Sequence, residues 1–152
     1  MARAIGLVAA SKLRRGGIAR ARDQFDPSPV FRRARDFCDR AYSEWYILSA
    51  TYLLIRPQQV IGAGEPALRV LSAAERAAWA ESIAEQLRLR VSRSAEPLTF
   101  VLYTSQRYIE LLMRVAPDIA FETPLSGMSF VERLRWYDDR LRIEPRMLAT
   151  AT

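Results

Sequence analysis

The chain has no histidine, one cysteine and, among its 23 basic residues, a single lysine. Each scarcity excludes something. Without histidine there is no Ser-His-Asp or Cys-His nucleophile system and no histidine-ligated metal. Cys38 alone cannot close an internal disulfide, and it leaves a structural zinc without a ligand set, so neither a metal nor another cofactor is expected. Long apolar runs are missing too. The longest uncharged run near the middle, Trp45 to Ile55, falls short of the ~20 residues a membrane helix needs, so no membrane partner is expected. The N-terminus carries one Arg, a short apolar run and then Lys12, Arg14 and Arg15. A secretory signal has the opposite order, so this segment reads as mature protein, and with one cysteine the expected home is the cytoplasm. Chemistry is left to carboxylates, hydroxyls, Lys, Arg, Tyr and backbone N–H groups.

What is present describes a globular domain. Of 152 residues, 50% are hydrophobic and 26% charged. The net charge of +6 is uneven: residues 1–40 hold ten basic and four acidic residues, and the remainder is balanced at thirteen of each. A basic first quarter suits a patch that attracts phosphates, nucleotides or nucleic acid, and equally a solubilising surface in a basic-biased protein. Lys12, alone among arginines, suits a site that needs a compact ammonium, and equally chance.

Three apolar runs read as buried strands: Arg3 to Ala10, Glu44 to Ala50 and Leu98 to Tyr103. Residues 11–28 read as a long loop. Ser28 and Pro29 open a helix with Val30, Phe31, Ala34, Phe37, Cys38, Ala41 and Tyr42 on one face, which makes Cys38 a core residue. Irregular chain is expected from Pro57 through Gly62 to Pro66. Ser72 with Glu75 caps a helix to about Val91, striped by Ala73, Ala77, Ala80, Ile83, Ala84, Leu87 and Val91. Gln106 to Ala116 is a short helix with Ile109, Leu112 and Met113 inward, and Ile119 to Phe121 a short fourth strand. Ser129 with Glu132 caps a last helix to about Ile143, striped by Phe130, Val131, Leu134, Tyr137 and Leu141. Alternating strands and helices predict one α/β domain over residues 1–144, with a mostly parallel, Rossmann-like sheet of about four strands flanked by helices, and a tail from 145 to 152.

Several pieces recur in order across nearly the whole chain. Ser11-Lys12 follows the first strand, then come Phe25, Ser28, Phe31 and Arg32. Trp45 to Ala50 with Tyr52 form the central strand and its exit, and Trp79-Ala80, Arg107-Tyr108 and Pro124-Leu125-Ser126-Gly127-Met128 follow. This arrangement resembles the YaaA-like proteins of the peroxide-stress type and the small bacterial and phage domains related to them. The chain departs from that pattern at Thr51-Tyr52-Leu53, where the family has Lys-Tyr-Gly, and at Thr104-Ser105, where a Gly is usual. The resemblance implies association with nucleotides or nucleic acid, and handling of a nucleobase or its N-glycosidic bond.

A pocket is therefore expected at the carboxyl ends of the strands. Lys12 and Arg32 would bind phosphate, Tyr52 would stack on a base, and Ser11, Ser28, Ser49, Thr51, Tyr108, Ser126 and Gly127 would line it. Asp26, Glu44 and Glu110 are the candidates for any acid or base step. Glu44 and Glu110 read more readily as solvated element ends. The alternative is a catalytically lapsed module of the same fold that binds nucleic acid, or a protein partner through Trp136 and Tyr137 among Arg133, Arg135, Arg140 and Arg142.

Overall fold

The computed structural model describes residues 2–64 and 68–151. In chain order its elements are β1 (Arg3–Ala9), β2 (Ala19–Arg20), α1 (Ala21–Gln24), α2 (Pro29–Ala41), β3 (Trp45–Ser49), β4 (Leu53–Ile55), β5 (Val60–Ile61), a 3-10 turn (Leu68–Val70), α3 (Ala73–Ser92), β6 (Leu98–Tyr103), α4 (Gln106–Val115), β7 (Phe121–Glu122) and α5 (Phe130–Ala151). Five strands form one sheet in the order β4-β3-β1-β6-β7. β1 pairs in parallel with β3 and β6, and β6 in parallel with β7, while β4 folds back antiparallel on β3. The fold is mixed α/β.

Side chains alternate across the three central strands, as the period of two requires. Ile5, Leu7, Leu48, Phe100 and Leu102 face one layer, packed on α3 and α4. Val8, Ile47, Val101 and Tyr103 face the other, packed on α2 and α5. Both faces are thus covered, and runs such as LTFVLY are apolar throughout rather than alternating. Gly6 stands where a Cβ would come within 2.9 Å of the Tyr42 ring, so its lack of a side chain lets α2 approach β1.

The helix starts follow the sequence. Ser28 caps α2 by accepting from the Phe31 N–H at 3.2 Å, and Ser72 with Glu75 forms a capping box on α3. The helical stripes are narrower than expected. Trp79, Ala80, Ile83, Ala84 and Leu87 are buried on α3, but Ala73, Ala77 and Val91 are exposed. On α4, Tyr108 and Leu111 join Ile109 and Leu112 inside, and Met113 faces out. Phe130 and Val131, in the first turn of α5, are also exposed.

Four further expectations are corrected. The loop over residues 11–28 contains β2 and α1, and β2 pairs antiparallel with β5 as a separate ribbon. β4 adds a fifth strand to the main sheet. The fourth expected strand begins at Phe121 rather than Ile119. Finally, α5 continues through Pro145 to Ala151 where a tail was expected. A proline at 145 has no N–H for the carbonyl of Leu141, and the Arg40 guanidinium bonds that carbonyl at 2.9 Å instead. The irregular stretch expected from Gly62 to Pro66 lies partly outside the described residues.

Candidate ligand site at the sheet crest

The chain leaves β1 for β3 on one side and later returns to β6 on the other, so the carboxyl ends of β1 and β6 lie side by side. The segments that follow lead to helices on opposite faces of the sheet. Chain divergence of this kind opens a crevice above the strand ends. Here it is a cavity of about 580 Å³. Residues 8–13 at the end of β1 and 103–106 at the end of β6 form its base, the N-terminal turn of α2 one wall, and Leu125, Met128 and the start of α5 the other.

Two cations, Lys12 and Arg133, line this cavity, and no Asp or Glu does among the described residues. Lys12 is exposed and makes no hydrogen bond or ion pair among the described residues. That sets it apart from its neighbours in sequence. Six of the ten basic residues in the first quarter are engaged by carboxylates: Arg3 by Glu44, Arg15 by Asp26, Arg20 by Asp23, Arg22 by Asp39, Arg33 by Asp138 and Arg35 by Asp36. Arg32 donates to the Asp26 carbonyl and Arg40 to that of Leu141. The basic excess is therefore mostly spent within the protein. Arg133 is partly buried, and its guanidinium donates to the carbonyls of Thr104 at 2.5 Å and Met128 at 3.3 Å. Burial lowers its pKa from the usual arginine value, yet an arginine keeps its charge, so it faces the cavity as a cation with no carboxylate against it.

The buried hydroxyls point the same way. Tyr137 and Thr104 are 1% and 4% exposed and line the cavity, and neither hydroxyl has a hydrogen-bond partner among the described residues. Buried polar groups without partners are uncommon and are normally met by water or a ligand. Burial raises the pKa of Tyr103 and Tyr137 far above neutrality, and that of Tyr42, which shares a 2.5 Å hydrogen bond with Tyr103, to about 12. These tyrosines stay protonated, so none is a base, and the Tyr137 hydroxyl is left to donate to a ligand. Cys38 is buried below them, and desolvation likewise raises its thiol, which makes it inert.

Of the residues expected to bind a ligand, Ser11, Lys12 and Ser28 line the cavity. Tyr108 is buried, gives its hydroxyl to the Leu68 carbonyl and borders a neighbouring, smaller cavity. The others stand elsewhere. Ser49 is buried, with its Oγ accepting from the N–H groups of Thr51 and Tyr52 and its carbonyl accepting from Trp79 Nε1 at 2.8 Å. It shapes the β3–β4 turn, and Thr51 and Tyr52 are exposed on that turn. Ser126 Oγ and the Gly127 N–H both donate to Gln106 Oε1, at 3.1 and 3.0 Å. They fasten the loop that brings Leu125 and Met128 to the cavity. Arg32 is exposed on α2.

None of the three carboxylates lines the cavity. Asp26 pairs with Arg15 at 2.5 Å. Glu110 is exposed and accepts from Gln106 at 3.2 Å. Glu44 precedes β3, at the amino end of the parallel strands and therefore opposite the crest, where Arg90 and Arg3 hold it. Of the expected interface aromatics, Tyr137 is core, and Trp136 is partly buried, packed on Phe37 at 5.0 Å beneath the Arg140 guanidinium.

Sequence reasoning missed Arg133, Thr104 and Tyr137 as site residues. The available signal was position: Arg133 follows the Ser129 cap by one helical turn, directly after the PLSGM loop, and Tyr137 follows by one more. Over residues 5–139 the chain matches the family of unknown function DUF6884, and it belongs to that family. No curated protein and no solved structure matches it.

Proposed function

We propose that this member of DUF6884 binds a nucleotide, or a similarly sized anion with a flat apolar body, in the crest cavity. The observation that carries the reading is the lining. Lys12 and Arg133 face the cavity without a carboxylate, beside the unpartnered hydroxyls of Thr104 and Tyr137 and otherwise mostly apolar walls. An anion would satisfy the cations and accept from the hydroxyls, while Val30, Phe31, Leu125 and Met128 would cover the organic part. The resemblance to YaaA-like proteins supports the same ligand class.

Between turnover of an N-glycosidic bond and binding without turnover, the lining favours binding. The former needs a carboxylate or equivalent base beside the ligand, and the tyrosines here hold their protons. Nucleic-acid backbone binding is disfavoured by the internal pairing of the first-quarter arginines. A protein partner is the second reading, since Phe130 and Val131 are 62% and 60% exposed and Phe130 also lines the cavity. The buried, unreactive Cys38 suits a reducing cytoplasm.

The test is thermal shift against nucleotides, nucleosides and short DNA and RNA at low and moderate salt. Stabilisation by a mononucleotide should persist in moderate salt. Lys12→Ala should weaken it ~10-fold, the scale of one charged hydrogen bond, with little change in the stability of the free protein. Stabilisation only by polymers, fading as salt rises, would refute the pocket.

A further inference from the structure

The crest carries two cavities, not one, and they share a ridge. Beside the 580 Å³ cavity lies another of about 210 Å³, walled by Leu68 and Tyr108. Ala9, Ala10, Lys12, Thr104 and Ser105 border both. Three of these are polar, and none of their side chains has a hydrogen-bond partner among the described residues. Ser105 is the N-cap residue of α4, a helix of ten residues, but its hydroxyl does not cap it. The positive end of α4 thus meets an ammonium and two uncommitted hydroxyls above a floor of two alanine methyls. The small side chains leave the ridge low. Cavity space for an organic group lies on either side of the ridge.

Resting on the nucleotide reading above, we infer that the ligand is phosphate-bridged and two-armed. Its phosphate sits on the ridge at Lys12, Thr104 and Ser105, one nucleoside-like arm lies in the larger cavity, and a smaller arm lies against Tyr108 and Leu68. The Tyr108 hydroxyl is committed to the Leu68 carbonyl, so the smaller cavity offers the second arm ring and aliphatic surface. Arg133 borders the larger cavity alone, which places additional negative charge on that side and favours a pyrophosphate link over a single phosphodiester.

Calorimetric titration of the full chain tests this with three probes: a nucleoside 5′-monophosphate, a pyrophosphate-linked dinucleotide and a 3′,5′-linked dinucleoside monophosphate. The expected result is that at least one bridged probe binds ~10-fold or more tightly than the monophosphate. Leu68→Phe, which narrows only the smaller cavity, should erase that gain and leave the monophosphate affinity within about twofold. Whichever bridged probe binds tighter identifies the link. Equal affinity of all three probes for the parent protein would overturn the two-armed ligand while leaving the nucleotide reading intact. No binding of any probe would overturn both. The comparison of probes on the parent protein decides the matter even if Leu68→Phe fails to fold.

Discussion

Glu44→Gln separates structure from function at a residue that sequence alone nominates for catalysis. The Glu44 side chain is 19% exposed and saturated with donors. Arg90 grips it with two bonds of 2.8 and 2.9 Å, Arg3 adds one of 2.9 Å, and the Tyr46 hydroxyl donates at 2.5 Å. Chiefly through the Arg90 hydrogen bonds, with burial opposing, the carboxyl is held at about 2 instead of an ordinary 4.5. Fully expressed, that difference corresponds to ~3 kcal/mol of stability at neutral pH. Arg3 and Arg90 are 33% and 25% exposed, so solvent screening reduces the expected loss in Glu44→Gln to about 1–2 kcal/mol, or a melting temperature lower by about 3–6 °C. The sign in pH follows from the depressed value. The folded state holds its proton less tightly than the unfolded state, so the contribution is complete above 4.5 and is lost as pH falls through 2. Denaturant midpoints of parent and variant should differ at pH 7 and converge toward pH 2.5. A variant as stable as the parent at pH 7, or a gap that ignores pH, would mean that the Glu44 carboxylate does not stabilise the fold through Arg90 and Arg3. Loss of nucleotide binding in a folded Glu44→Gln would refute the placement of the site at the crest.

Two other variants isolate single features. Tyr137→Phe removes a buried hydroxyl with no partner among the described residues, so free-protein stability should stay level or rise by up to about 1 kcal/mol, whereas nucleotide affinity should fall ~10-fold by titration. A clear drop in stability would mean that the hydroxyl is already satisfied. Leu53 holds a left-handed backbone, φ 64°, a conformation that favours glycine. Leu53→Gly should relieve ~1–2 kcal/mol of backbone cost while losing a similar amount of half-buried apolar contact, leaving the denaturant midpoint nearly unchanged. Leu54→Gly, one residue on and without that strain, should be clearly destabilised, and equal losses in both would mean that the backbone at Leu53 carries no such cost.

Much of the fold is written locally. Runs such as LTFVLY and WYILS, short and rich in aromatic and β-branched residues, read as buried strands, and the Ser28-Pro29 and Ser72-Glu75 starts are set by side chains within a few residues. What escaped the sequence depends on distant partners. β4 requires a turn in which a leucine takes a glycine conformation and Ser49 holds the N–H groups of Thr51 and Tyr52. The Leu141 carbonyl, for which Pro145 has no N–H, is met by Arg40, about a hundred residues earlier. The basic first quarter looks like a phosphate-binding surface until its arginines are seen to face aspartates. The site was legible at Ser11, Lys12 and Ser28, which sit at a strand end or helix start, where position follows from local structure. Arg133 and Tyr137 reach the cavity only because α5 packs beside α2, which no local pattern specifies.

The most direct test of the ligand site is a crystal structure of the protein grown with a nucleoside 5′-monophosphate. The phosphate should lie within hydrogen-bond distance of Lys12 or Arg133 and the base against the apolar wall formed by Val30, Leu125 and Met128. A nucleotide bound instead at the opposite end of the sheet, in the polar groove of Arg22, Arg56 and Arg90, or a crest cavity left without ligand at saturating concentration, would contradict that placement.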